Sequence, residues 1–208
     1  MKGEITMKKI FSFLALVILI FTLSGCKAEI DDTQNQLYFP SEQHISTVMD
    51  ASVINYKNTY DMYMDSVHLV IGRVTESDKS ANISEQVPIA ISKVKIEKVL
   101  KGSYDVGDEI NIHETGERNE SDELSIDGVP LLKKDMKVLL FLNKGTDYYI
   151  GKTSHGICGV NFGKFFYDEN GLIHSSLDFA GQAVTKLEDF SEPMTEEQFV
   201  YLISDAVS

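Results

Sequence analysis

His155-Gly156-Ile157-Cys158 sets two metal-ligating side-chain types three residues apart. A zinc site needs three or four such ligands, and no further cysteine or histidine lies close by in the chain. His44, His68, His113 and His174 are scattered, without H-x-x-H or H-E-x-x-H spacing. Cys158 therefore reads as a buried thiol in a glycine-rich strand junction, where free cysteine behaves as a small hydrophobe. Gly151-Lys152-Thr153-Ser154-His155 places a hydroxyl beside an imidazole. It lacks the G-x-S-x-G of a nucleophile elbow and the G-x-x-x-x-G-K of a phosphate loop. The acidic stretch Glu114 to Glu123 carries Glu114, Glu117, Glu120, Asp122 and Glu123. It misses the D-x-[DN]-x-[DN]-G spacing of a calcium loop. Like charges in series repel and extend, so a solvated, mobile loop is expected there. Its catalytic alternative is a carboxylate pair ~5–10 Å apart, as glycoside hydrolysis requires. No catalytic constellation, metal site or cofactor motif emerges, and the expectation is a non-enzyme.

Aromatic residues concentrate at Tyr148, Tyr149, Phe162, Phe165, Phe166 and Tyr167. Two uses compete for them. A strand face carrying Tyr148, Tyr149, Phe165 and Tyr167 could bind a glycan or peptide, as barrel faces do. Alternatively these side chains fill the core, where aromatics supply much of the buried area.

The elements that must position these residues begin after a distinctive N-terminus. Met7-Lys8-Lys9 reads as a natural start and leads into a mostly apolar run of 14 residues, Ile10 to Leu23, whose two polar members are Ser12 and Thr22. A basic start and a run this short fit a secretory signal better than a membrane span. Leu23-Ser24-Gly25-Cys26 then resembles the lipobox of bacterial lipoproteins. The resemblance implies cleavage before Cys26 and a diacylglyceryl thioether on its sulfur. Two acyl chains anchor stably where one does not. Residues 1–25 are thus expected to be a lipoprotein signal peptide and 26–45 a lipidated cysteine with a polar tether. Residues 46–208 would form one domain, on the extracytoplasmic face of the cell membrane. Cleavage leaves 183 residues, with 16 basic and 31 acidic side chains and a net charge of −15. Such a surface repels phosphate backbones, which argues against nucleic acid as a partner. With Cys26 lipidated, Cys158 has no mate, and the domain must be stable from packing alone.

Periodicity outlines the domain. Val48, Met49, Val53, Tyr56, Tyr60, Tyr63 and Met64 recur at steps of three and four, predicting a helix over 46–65. Strands are predicted at Val67 to Val74, Val87 to Leu100, Ile110 to Ile112, Val138 to Leu142, Tyr148 to Ile150 and Val160 to Tyr167. Gly72 marks a bulge or bend. The slip from odd to even apolar positions between Ile91 and Val94 suggests a bulge in the second strand. The fully apolar Val138 to Leu142 should be buried on both faces. Asp168-Glu169-Asn170-Gly171 is a hairpin turn into Leu172 to His174. Thr195 with Gln198 makes a capping box, flanked by a Met194–Phe199 staple, and opens a last helix to Val207. The fold class is mainly β: a small OB-like β-barrel of five to seven strands, with a helix before it and a C-terminal helix.

Four ordered segments carry a further resemblance. They are Ser66 to Val74, Val94-Lys95-Ile96-Glu97-Lys98-Val99-Leu100-Lys101-Gly102, Gly107 to Ile112, and Gly128 to Leu142. The set is similar to the netrin-like module, the OB-fold barrel shared with tissue inhibitors of metalloproteinases. The resemblance covers about Ser66 to Ile173 and implies a fold more than an activity. It departs from the family in lacking paired cysteines. Inhibition through a free N-terminal cysteine is incompatible with a lipid on Cys26. The reading is then a non-enzymatic lipoprotein whose barrel binds an envelope protein or glycan; the alternative is an envelope hydrolase acting on wall polymer.

Overall fold

The computed structural model describes residues 45–49, 56–84, 87–118, 123–147, 150–180 and 186–207. The chain divides into two units, Met1–Gln36 and Leu37–Ser208, and all described residues belong to the second. The signal segment, Cys26, the tether as far as His44, Tyr148 and Tyr149 lie outside the described residues, while Ile45, expected to end the tether, opens a strand.

In chain order the elements are β1 (Ile45–Met49), α1 (Thr59–Asp65), β2 (His68–Ser84), β3 (Val87–Lys101), β4 (Glu109–Arg118) and β5 (Glu123–Ile126). They continue with β6 (Lys137–Leu142), β7 (Ser154–Gly156), β8 (Lys164–Tyr167), β9 (Ile173–Ser175), a single 3-10 turn (Ser176–Phe179) and α2 (Glu196–Val207). Among the described residues the protein is mainly β, with one helix before the main sheet and one at the C-terminus.

Seven strands, β5-β4-β3-β2-β6-β8-β9, pair antiparallel at every step; β1 joins β5 and β7 joins β4, both in parallel. An antiparallel bridge from Leu142 to Ile157 and the Asn143 N–H to Gly156 carbonyl bond (2.9 Å) tie β6 to the β7 end. The ring β2–β3–β4–β7–β6 is therefore a five-stranded, partly open OB-like barrel.

Strand β6 shows why the barrel has two cores. Val138, Leu140 and Leu142 point into one cluster with Val70, Val94, Ile96, Ile112 and Phe166. Leu139 and Phe141 point the other way, onto Phe165, Phe162, Met62, Phe199 and Ile203 beneath the helices. The apolar run is buried on both faces, as its composition requires.

Gly72 sits at a register shift between β2 and β3, and a Cβ there would press to 2.6 Å from the Lys95 carbonyl oxygen. The slip between Ile91 and Val94 has another cause than the bulge expected in β3. Ile89, Ala90, Ile91 and Ser92 are all buried, and the pairing with β4 runs without a shift. Beside Lys93 the extra residues lie on β2, between Val74 and Glu76 and between Glu76 and Lys79.

The helix expected over 46–65 is reduced to Thr59–Asp65. The β-branched Ile45, Thr47 and Val48 go into β1 instead. Asn58, a poor interior residue, caps the helix by accepting from the Asp61 N–H at 2.8 Å. The Asp189 carboxylate accepts from the Thr59 N–H (2.9 Å) and hydroxyl (2.5 Å) at the same end. At the other end Lys101 Nζ donates to the carbonyls of Tyr63 and Ser66 (2.6 Å to Ser66), so the lysine of the V-L-K-G segment closes the helix C-terminus.

In α2 the capping box forms as read. The Thr195 N–H donates to Gln198 Oε1 (2.8 Å) and the Gln198 N–H to Thr195 Oγ1 (3.3 Å). Glu196 ties the helix to the barrel by accepting from Lys98 Nζ (2.7 Å) and the Tyr167 hydroxyl (3.1 Å). No helix among the described residues is long and apolar enough to cross a membrane.

Three further strand expectations change. Val160 to Tyr167 is strand only from Lys164, because Gly159 and Val160 adopt positive φ (59° and 61°) in a run of turns. Ile150 lies in a turn. Ile110 to Ile112 extends to Glu109–Arg118, and that extension overturns the mobile-loop expectation for Glu114.

Candidate functional site

Strand β7 brings together the residues whose types suggested chemistry. Parallel pairing sets Ile112 opposite His155 and His113 opposite Gly156. Side chains alternate across a strand, so His113 and His155 lie on opposite sides of the β4–β7 pair.

On one side His155 forms a chain with Tyr104 and Asn143. Its Nδ1 is 2.9 Å from the Asn143 carbonyl, which can only accept, so Nδ1 carries the proton. Nε2 then accepts from the Tyr104 hydroxyl at 2.6 Å. The His68 ring stands edge-on to His155 (5.2 Å between centroids) and 4.7 Å from Tyr104. His68 Nδ1 is buried without a hydrogen-bond partner. Burial, then the neighbouring His155, holds its pKa below the ordinary histidine value. Gly102, at φ +108°, makes this possible, because a Cβ there would run into His68 Nδ1.

Asn143 also holds Cys158, whose thiol donates to its Oδ1 at 3.2 Å. The thiol is fully buried; burial, helped by Asp65 and opposed by Lys101, pushes its pKa up to about 12. A thiol of that kind is neither a ready nucleophile nor a ready metal ligand. His155 and Cys158, the pair at ligand spacing, are thus joined through Asn143 rather than through an ion. Among the described residues no three His, Cys, Asp or Glu side chains converge as a metal site requires.

On the other side His113 Nδ1 lies 3.1 Å from Ser154 Oγ, which also reaches the Thr146 carbonyl at 3.4 Å. A hydroxyl and an imidazole at this separation could form a nucleophile and base. Ser154 is fully buried, however, so no substrate carbonyl reaches it. Burial, then His155, brings the His113 pKa down to about 4, with Glu114 working weakly against them.

Glu114 and Glu123, the two ends of the acidic stretch, are structural, while Glu120 and Asp122 lie outside the described residues. Glu114 is 6% exposed and accepts from Lys164 Nζ (2.6 Å) and the Leu132 N–H (2.9 Å). Glu123 is 3% exposed, accepts from the Leu131 N–H (2.6 Å) and lies 3.3 Å from Lys133 Nζ. Arg118 donates to the carbonyls of Ser77 and Leu132. Together they hold the segment 130–133, which has no strand partner to satisfy its backbone.

Of the four candidate binding-face aromatics, Tyr148 and Tyr149 lie outside the described residues. Phe165 and Tyr167 are 0% and 1% exposed and belong to the core under the helices. Phe165 is covered by Phe190 and Phe199, and Tyr167 has Lys137 Nζ over its ring and donates to Glu196, so neither ring presents a face to a ligand. His174 binds Asp168 Oδ2 at 3.1 Å and locks the Asp168–Gly171 turn. Sequence reasoning missed Tyr104, Asn143 and Lys164, which carry no motif and meet their partners only across long sequence separations.

Compared with known proteins, the chain matches no family model, no curated protein and no solved structure. The functional reading therefore rests on the sequence, the fold and the side-chain geometry.

Proposed function

We propose that this protein is a lipoprotein anchored to the extracytoplasmic face of the cell membrane through Cys26. Its OB-like domain, netrin-like in segment order, binds an envelope protein or glycan without catalysing a reaction. The observation that carries the proposal is Leu23-Ser24-Gly25-Cys26 directly after the basic start and the 14-residue apolar run. The charge of the remaining chain, −15, would hold the domain off an anionic lipid surface while the lipid tethers it. The commitment of Glu114 and Glu123 to backbone amides and lysines favours a binding role over wall-polymer hydrolysis.

Metabolic labelling with a fatty acid tests the anchor. Wild-type protein is expected to carry the label at Cys26, and Cys26→Ala to lose it and shift into the soluble fraction or remain as uncleaved precursor. A mature N-terminus at another residue, without lipid, would overturn the anchoring. A glycan array and a pull-down with the lipid-free domain then separate the two partner classes. Release of reducing sugar from wall polymer by that domain would replace the binding role with the hydrolase.

A further inference from the structure

We infer that a groove along α2 binds a small cationic amphiphile, an alkyl chain carrying an ammonium head. The groove begins as a cleft of about 270 Å³ between α1, α2 and the strands β2 and β3, lined by Tyr63, Leu69, Leu100, Val200, Ile203 and Ser204. A second cleft of about 340 Å³ shares Val200 and Ser204 with the first and continues to Lys98, Glu196, Glu197 and Tyr201. The two therefore meet across a single turn of α2. The helix divides its faces to match. Phe199 and Ile203 seat it on the core, whereas Glu197, Val200, Tyr201 and Ser204 recur at steps of three and four along the groove.

The two ends differ in chemistry. The described lining of the first carries no charge, and its Ser204 hydroxyl is already used, donating to the Tyr201 carbonyl at 2.9 Å. Such a cleft gains most from an alkyl chain. At the second end one lysine stands with two glutamates. Lys98 Nζ is committed to Glu196 (2.7 Å), whose other oxygen accepts from the Tyr167 hydroxyl (3.1 Å). Lys137 is held over the Tyr167 ring, 4.3 Å from its centroid. Glu197 has no ion-pair partner among the described residues. One turn further along stands Tyr201, which is 68% exposed. A carboxylate and an open tyrosine ring four residues apart on a helix are a pair that one ammonium ion satisfies, by charge on one and by cation–π attraction on the other. An anionic head would meet the excess of negative charge there and be repelled. The site is independent of the lipid on Cys26.

Calorimetric titration of the full chain with octyltrimethylammonium, kept below its micelle concentration, is the test. Saturable binding is expected. Hexyltrimethylammonium, two methylenes shorter, should bind about 10-fold more weakly. Octyl sulfate, with the same chain and the opposite head, should bind weaker still. Glu197→Gln and Tyr201→Ala change exposed side chains, so the melting temperature should hold while each weakens the octylammonium complex about 3- to 5-fold. Equal affinity for octyl sulfate overturns the inference, because the head is then not read. Equal affinity for the hexyl compound does so for the chain. Binding that neither variant alters, as binding to the apolar N-terminal segment would be, places the ligand elsewhere and also overturns it. So does the absence of saturable binding.

Discussion

Lys164 Nζ and Glu114 Oε1, fifty residues apart in sequence, meet at 2.6 Å with the lysine side chain fully buried and the glutamate almost so. The ammonium also donates to the Pro130 carbonyl (2.6 Å), and the second carboxylate oxygen accepts from the Leu132 N–H. Two charges taken out of water cost several kcal/mol each, and only close pairing with further hydrogen bonds offsets that. Glu114→Gln should therefore cost about 3–5 kcal/mol, because it leaves Lys164 charged and unpaired. Joint replacement by Met at both positions should cost much less. Urea unfolding of the three chains measures this. A Gln variant as stable as wild type would show that the pair is not what holds segment 130–133.

Leu140 is fully buried in the barrel, between Val70 on β2 and Lys164 on β8. An aspartate there would bury a second carboxylate beside a lysine already paired with Glu114, with otherwise apolar neighbours that cannot solvate it. Leu140→Asp should abolish the cooperative thermal transition. A melting curve like that of wild type would mean that the barrel interior has been misassigned.

Cys158 should be chemically silent. With its thiol buried and its pKa at about 12, it should not react with a disulfide reagent at pH 8 until the domain unfolds. Reductant should leave the melting temperature unchanged. A native disulfide contributes roughly 2–5 kcal/mol, so a clear fall in Tm would reveal a paired cysteine.

Stability should decline as pH falls below about 6.5. His113 has a pKa of about 4 in the folded protein against 6.5 for the free side chain. Between those values the unfolded chain binds a proton that the native one does not, so the contribution is complete above pH 6.5 and lost on acidification towards 4. His68, also held below its usual value, acts in the same direction. Asp168 adds to the loss at lower pH. Burial raises its pKa, but hydrogen bonds from His174, Leu172 and Asn170 outweigh that and hold it below normal. His113→Gln should flatten the Tm profile between pH 6.5 and 4. An unchanged slope would place the acid sensitivity elsewhere.

Local patterns in the chain determined much of the barrel. Val138 to Leu142 had to lie inside because five consecutive apolar residues leave no face for water. The Thr195–Gln198 box and the Asp168–Gly171 turn were legible because their hydrogen bonds close within a few residues. Tertiary structure alone decided the fate of the charges. Glu114 and Glu123 read as solvated because an isolated carboxylate belongs in water, and it is Lys164, Lys133 and the amides of Leu131 and Leu132 that make burial affordable. The same holds for residues 46–49. Their spacing suits a helix as well as a strand, and the open edge of β5, assembled from residues more than seventy positions away, selects the strand. Tyr104 and Asn143 had no signal at all, because their hydrogen bonds to His155 exist only once the barrel has closed.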